Sequence, residues 1–287
     1  MDSLPQSEQS SQISEQQQPG VVPEGADSDA VTTLDAEVIA QQEKELTAMG
    51  DISARTLIDL MKKLNADMDT DKVMILEYAQ ALNMWVATLK HLGSAIAVAF
   101  KDTKDKAKDM QTNRMVFIDD LKLIAADSPQ ANYLLPFCGE EAKFGIQDFN
   151  GDSKNKKPLK RFKKEDIKPW MYKYEATSRH LWRNQWLFTF LAQILTRIAK
   201  EREEKMSKLA KEVYKDVLKP NHPYWLQKVD NAAMLAVNSR PKFLKSYSDE
   251  QSKVQGKAYD DEMAYAEILE MAEQAQIMSD KLLLKCK

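Results

Sequence analysis

From Ile52 onward, the apolar residues of this chain recur at three- and four-residue intervals, and they do not alternate over any useful length. Side chains three and four apart share one face of a helix, whereas every second residue shares one face of a strand. The pattern therefore restricts the chain to an all-α fold. Leu57, Leu60, Met61 and Leu64 form a first stripe. Val73, Leu76, Ala79, Leu82, Val86 and Leu89 form a second, which stops at Gly93. Met115, Ile118, Leu121 and Ile124 form a third. A long helix is predicted over 172–200, with Leu181, Trp182, Leu187, Phe190, Leu191, Ile194, Leu195 and Ile198, and another from Met206 to Val217. Pro223 suits a first helical turn. The helix it opens should run to about Val237, with Trp225, Leu226, Val229, Ala233 and Ala236 inward. The last helix is expected over about 258–284. Eight glycines and ten prolines in 287 residues leave few breaks in such a pattern.

Composition bounds the remaining choices. Residues 1–48 are rich in Ser, Gln, Pro, Asp and Glu, and no Lys or Arg precedes Lys44. Such a segment cannot bury enough apolar surface to offset its ordering entropy. It reads as a disordered acidic tail before a domain over 49–287. Between 136 and 169 the helical pattern breaks at Gly139, Gly145, Asn150, Gly151 and Asp152, which reads as an inserted loop. A basic run follows: Lys154, Lys156, Lys157, Lys160, Arg161, Lys163 and Lys164. It is either a solvated face or a surface that adsorbs to anionic lipid, where each basic residue contributes ~1 kcal/mol. A net charge of −3 argues against nucleic acid as the main partner. No apolar run reaches the ~20 residues of a membrane-spanning helix, and the N-terminus lacks a signal-peptide pattern. Cys138 and Cys286 are far apart and give no disulfide framework, so a reducing compartment such as the cytosol is the expectation, and the chain is expected to act as a monomer.

Three stretches place polar groups on otherwise apolar helical segments. Asp102 and Lys106 are four apart, as are Arg179 and Arg183, so each pair shares a helix face. His222 stands at a helix start beside Tyr224 and Trp225. Two guanidinium groups on one face can clamp a phosphate with paired planar donors. Taken singly, each pair has an ordinary reading: Asp102–Lys106 as an exposed ion pair, the arginines as partners of Glu175, His222 as a helix cap. His91 and His180 read as structural, and the methionines as core filler. No Ser-His-Asp set, metal-spaced His/Cys cluster or phosphate-cradling glycine loop is present, so an enzyme, a cofactor and a metal are not expected.

Taken together, the stretches carry a resemblance. Leu92-Gly93 followed by small and apolar residues and then Asp102 resembles the second-helix signature of the glycolipid transfer protein superfamily. The residue four places on is Lys106, which resembles the phosphosphingolipid-binding branch rather than the glycolipid branch. The Arg179-x-x-x-Arg183 spacing is similar to that of the ceramide-1-phosphate transfer branch, and His222-Pro223-Tyr224-Trp225 resembles the family's His-bearing helix start. Asp230, where the family is usually apolar, and Asn238, in place of a proline, depart from the pattern.

The resemblance implies a two-layer helical sandwich enclosing an apolar lipid pocket, and a carrier that makes and breaks no bond. It implies a phosphorylated sphingolipid ligand held by Asp102, Lys106, Arg179, Arg183 and His222, with transient contact at a membrane surface. Tyr224, Trp225, Lys160, Arg161 and Lys163 are the candidates for that contact. A neutral glycosphingolipid carrier, with Trp182 as a stacking platform, and a sensor that binds without moving cargo remain alternatives. The first is decided by whether Trp182 or Arg183 faces Asp102.

Overall fold

The computed structural model describes residues 51–93, 96, 100–151 and 156–285, the side chains of Lys101 and Trp225 excepted. The acidic tail expected over 1–48 lies outside the described residues. Helix α1 (Ala54–Asp69) is started by Ser53, whose hydroxyl accepts from the Thr56 N–H at 3.3 Å. Its buried face is the predicted stripe, Leu57, Met61 and Leu64 with Ile58 added. Then follow α2 (Ile75–Leu89), α3 (Lys101–Met115), α4 (Leu134–Phe144), α5 (Thr177–Lys200), α6 (Met206–Val217), α7 (Tyr224–Leu235), α8 (Arg240–Gln255) and α9 (Asp261–Lys285). Among the described residues there is no strand, only the isolated bridges Met74–Tyr133 and Asn150–Glu175.

The two longest helices, α5 and α9, pack along each other. Phe188, Leu191, Leu195 and Ile198 of α5 and Ile268, Met271, Ala275 and Met278 of α9 are buried. One polar rung crosses the pair: the Ser279 hydroxyl lies 2.7 Å from Thr189 Oγ1 and accepts from Gln185 Nε2 at 3.1 Å. Helix α1 flanks α9, and α6 flanks α5. Helix α3 packs against α2 and also meets α5, with Phe100 and Phe190 at a ring separation of 5.5 Å where α3 begins. This contact brings the helix of Asp102 and Lys106 onto the helix of Arg179 and Arg183.

Some expected faces are rotated. Of the second stripe Leu76 is 48% exposed, while Val73, Ala79, Leu82, Val86 and Leu89 are buried as expected and are joined by Ile75, Tyr78 and Trp85. Met115 is also exposed, because α3 ends there and passes into a wider π-turn, Val116–Asp120, that turns Phe117 inward. In α7, Val229 and Ala236 face outward while Asp230, Ala233 and Met234 are buried. Trp225's side chain lies outside the described residues.

Two helices were not expected. Helix α4 occupies the first part of the supposed 136–169 loop; Pro136 falls in its first turn, where a proline costs no intrahelical bond. Helix α8 hides in a polar sequence. Its buried Gln251 accepts from the Ala54 N–H at 2.9 Å and donates to the Ile52 carbonyl at 3.0 Å, pinning the entry to α1.

Gly93 explains why Leu-Gly precedes α3. Its φ of +129° disfavours a side chain, and a Cβ there would lie 3.2 Å from the Ala236 carbonyl oxygen. Asn238 uses this close approach, donating its backbone N–H to the Leu92 carbonyl at 2.7 Å and its amide to the His91 carbonyl at 3.0 Å.

Candidate functional site

The site is built from α3 and the first two turns of α5. The i,i+4 spacing of α3 brings Lys106 Nζ to 2.5 Å from Asp102 Oδ2. The lysine is buried, while the aspartate side chain is 67% exposed. Partial desolvation favours protonation of Asp102. The charge and hydrogen bond of Lys106, with the charge of Arg183, outweigh it and hold the carboxyl below its ordinary range. Asp102 is thus an ionised acceptor facing a cationic cluster.

Arg183 reaches this cluster from α5 and is ion-paired with Glu175, just before the helix. One turn earlier, Arg179 is half-buried and its Nε has no hydrogen-bond partner among the described residues. Desolvation, then repulsion from Arg183, lowers its pKa from the ordinary guanidinium value. An arginine stays charged regardless. Two like charges one turn apart are destabilising for the helix unless an anion lies between them. Trp182, in contrast, is 47% exposed and packs edge-on against Trp186 at a ring separation of 4.3 Å. The residue coupled to Asp102 is therefore Arg183.

The position of α5 depends on a residue that sequence reasoning missed. Ala176, at the helix start, offers no side-chain cap. Glu141, fully buried on α4, caps it from across the structure. Its Oε1 accepts from the Tyr174 hydroxyl and the Thr177 N–H, both at 2.7 Å. Its Oε2 accepts from the Ser178 N–H at 2.8 Å and the Ser178 hydroxyl at 2.7 Å. An anion at a helix N-terminus also complements the helix dipole. Burial and the Glu141 charge push the Tyr174 hydroxyl well above its ordinary pKa, so it remains a donor. From α3, Asn113 donates to the Glu175 carbonyl at 2.7 Å and to Thr177 Oγ1 at 3.1 Å, locking α3 to the same turn. The only sequence signal for Glu141 is its position in line with buried Leu134 and Phe137, visible once α4 is recognised.

His222 is placed differently. Its Nδ1 lies 2.7 Å from Asp230 Oδ2, and its ring is 6.0 Å from that of Tyr214. Asp230, the departure from the family pattern, is this buried partner. No hydrogen bond or ion pair joins His222 to Asp102 among the described residues.

The basic segment is anchored rather than loose. Leu159 is buried, and Phe162 packs on Phe144 and Phe149 in an aromatic cluster with Phe117, Trp170 and Tyr174. Arg161 ion-pairs with Asp148 and lies over the Phe149 ring at 5.5 Å, so it fastens the segment. Lys160 and Lys163 are exposed. A cavity of about 370 Å³ opens here, lined by Lys156, Lys160, Lys164, Phe162, Ile167 and Tyr172 among others. Tyr224 is 73% exposed, with the Lys228 ammonium 5.0 Å from its ring centre. Among the described residues, no helix is long and apolar enough to cross a membrane.

The family described as glycolipid transfer protein matches residues 144–249, a span that holds Arg179, Arg183, His222 and Asp230 and stops short of Asp102 and Lys106. The fold is shared with mouse ceramide-1-phosphate transfer protein in its apo form, at 16% identity and a TM-score of 0.55 over 80% of this chain and 93% of that one. It is shared equally with the human ceramide-1-phosphate transfer protein in complex with 12:0 ceramide-1-phosphate, at 14% identity, a TM-score of 0.55 and coverage of 80% and 92%. A mutant of Arabidopsis accelerated-cell-death 11 complexed with C12 ceramide-1-phosphate matches at 14% identity and a TM-score of 0.54, covering 80% of this chain and 92% of that one. No curated protein matches the sequence. Family match and fold both agree with the resemblance carried by the sequence motifs, and the all-α architecture is that of these lipid-binding proteins.

Proposed function

We propose that this chain binds a phosphorylated sphingolipid, ceramide-1-phosphate or a close relative, and carries it between membranes without chemistry. The observation that supports the reading is that buried Lys106 of α3 and Arg183 of α5 both act on Asp102, with Arg179 one turn from Arg183 and its Nε without a hydrogen-bond partner among the described residues. A phosphate monoester relieves their mutual repulsion and accepts from both planar donor sets. It competes with Glu175 for Arg183. Asp102, kept ionised by its neighbours, suits an amide N–H as acceptor. Asp230 orients the His222 ring, whose remaining nitrogen is the candidate contact to the amide carbonyl. The lipid chains enter the apolar interior beneath, near Phe100 and Phe190.

The protein acts as a cytosolic monomer that touches membranes transiently, through exposed Tyr224 with Trp225 and through Lys160 and Lys163. Arg161 contributes less than its charge suggests, being engaged with Asp148. The exposed, tryptophan-paired position of Trp182 speaks against the neutral-glycolipid alternative.

The test is vesicle-to-vesicle transfer of ceramide-1-phosphate. Arg183→Leu should lower transfer at least tenfold with the helical circular dichroism unchanged, since a hydrogen bond to a charged group contributes ~1.5–3 kcal/mol. Unchanged transfer refutes the assignment.

A further inference from the structure

Each arginine of the site is followed by a polar residue that the phosphate reading does not use. His180 and Asn184 lie four apart on α5, so they share a face, and both are completely buried. Among the described residues, both ring nitrogens of His180 and both amide atoms of Asn184 lack a hydrogen-bond partner. His180 Nε2 stands 3.5 Å from Asp109 Oδ2, without hydrogen-bond geometry. The pair continues the buried stripe of Phe188 and Leu191. It therefore points into the interior, while Arg179 and Arg183 mark the phosphate end.

Buried polar side chains are nearly always paired, because leaving them unpaired is costly. Two adjacent side chains with four unpaired atoms in a core stripe call for a polar group that arrives with the ligand. Asn184 offers donors and an acceptor, and a neutral His180 offers one of each. A hydroxyl, itself donor and acceptor, bridges such a pair. Resting on the proposed function, we infer that His180 and Asn184 bind the free hydroxyl of the sphingoid backbone, a few bonds from the phosphate, and so select sphingoid phosphates over chain-matched lipids lacking it. Arg179 and Arg183 take the phosphate, and the next residue along from each takes the hydroxyl.

The experiment compares ceramide-1-phosphate with its 3-deoxy analogue, binding each to the full chain and reading the ratio of dissociation constants by native mass spectrometry. The wild type should prefer the hydroxylated lipid at least tenfold, because a site built around a substrate hydroxyl strongly rejects the analogue without it. Asn184→Leu should bring the ratio close to one, chiefly by weakening ceramide-1-phosphate, with melting temperature equal to or above wild type. His180→Phe should act in the same direction. A structural role predicts the reverse: lower melting temperature and an unchanged ratio. Equal binding of both lipids by wild type, or an unchanged ratio in both variants, overturns the inference and leaves the phosphate reading standing. Failure of both variants to fold also overturns it, since the pair would then be part of the scaffold. Binding of neither lipid by wild type overturns both readings.

Discussion

Replacing Glu141 with glutamine tests how the site is held. The carboxylate accepts from the Tyr174 hydroxyl, the Thr177 N–H, the Ser178 N–H and the Ser178 hydroxyl, two donors on each oxygen. Glutamine keeps the shape, but one oxygen becomes an NH2 group. Whichever way the amide turns, two donors face a donor in a site with no exposure. A hydrogen bond to a charged acceptor contributes ~1.5–3 kcal/mol, so Glu141→Gln should cost about 3–5 kcal/mol. At ~2–4 °C per kcal/mol for a domain of this size, the melting temperature should fall by roughly 10 °C. Thermal unfolding followed by circular dichroism measures the loss. Hydrogen exchange should quicken first at whichever of the Thr177 and Ser178 amides comes to face the NH2 group, and then through the turn that carries Arg179. A shift below about 2 °C with unchanged exchange would refute the reasoning, because it would mean that Glu141 does not cap α5.

Acid sensitivity should centre partly on Glu250. Burial disfavours its charge, but hydrogen bonds from His91, Lys90 and the Ile52 N–H bring its pKa down to about 2. A depressed carboxyl pKa gives stability that is complete above the unfolded value of 4.5 and lost as pH falls toward 2. Chemical unfolding from pH 7 to 2.5 should show Glu250→Gln less stable at neutrality and flatter below pH 4.5; an unaltered acid limb would contradict this. Replacing both Lys160 and Lys163 with glutamate should weaken association with anionic vesicles at low salt and make no difference at high salt, where screening shortens electrostatic range to a few ångströms. Sedimentation with vesicles checks it, and equal association at low salt would show the segment to be only a solvated face.

The parts of the site legible in the sequence are local. The Asp102–Lys106 pair and the Arg179–Arg183 pair follow from helical spacing, and the structure realises both within their own helices. What escaped is tertiary. Glu141 caps a helix 36 residues away, and no local pattern announces such a partner. The inward turn of α7 was misjudged because periodicity counts apolar residues, whereas Asp230 is buried by its bond to His222. Pro136 and Gly139 made α4 look like a loop, though a first-turn proline and one glycine do not stop a helix whose Phe137 is buried in an aromatic cluster. His180 reads as structural in the sequence and Asn184 carries no signal there, because the meaning of the two lies in missing partners, which only coordinates reveal.

The central claim, that the ligand is a phosphorylated sphingolipid, is tested most directly by native mass spectrometry of the full chain after mixing with a total lipid extract. The account predicts one bound lipid per chain, its mass that of a ceramide phosphate, and its loss in Arg183→Leu. Selective retention of neutral glycosphingolipids, or of no lipid at all, would contradict it.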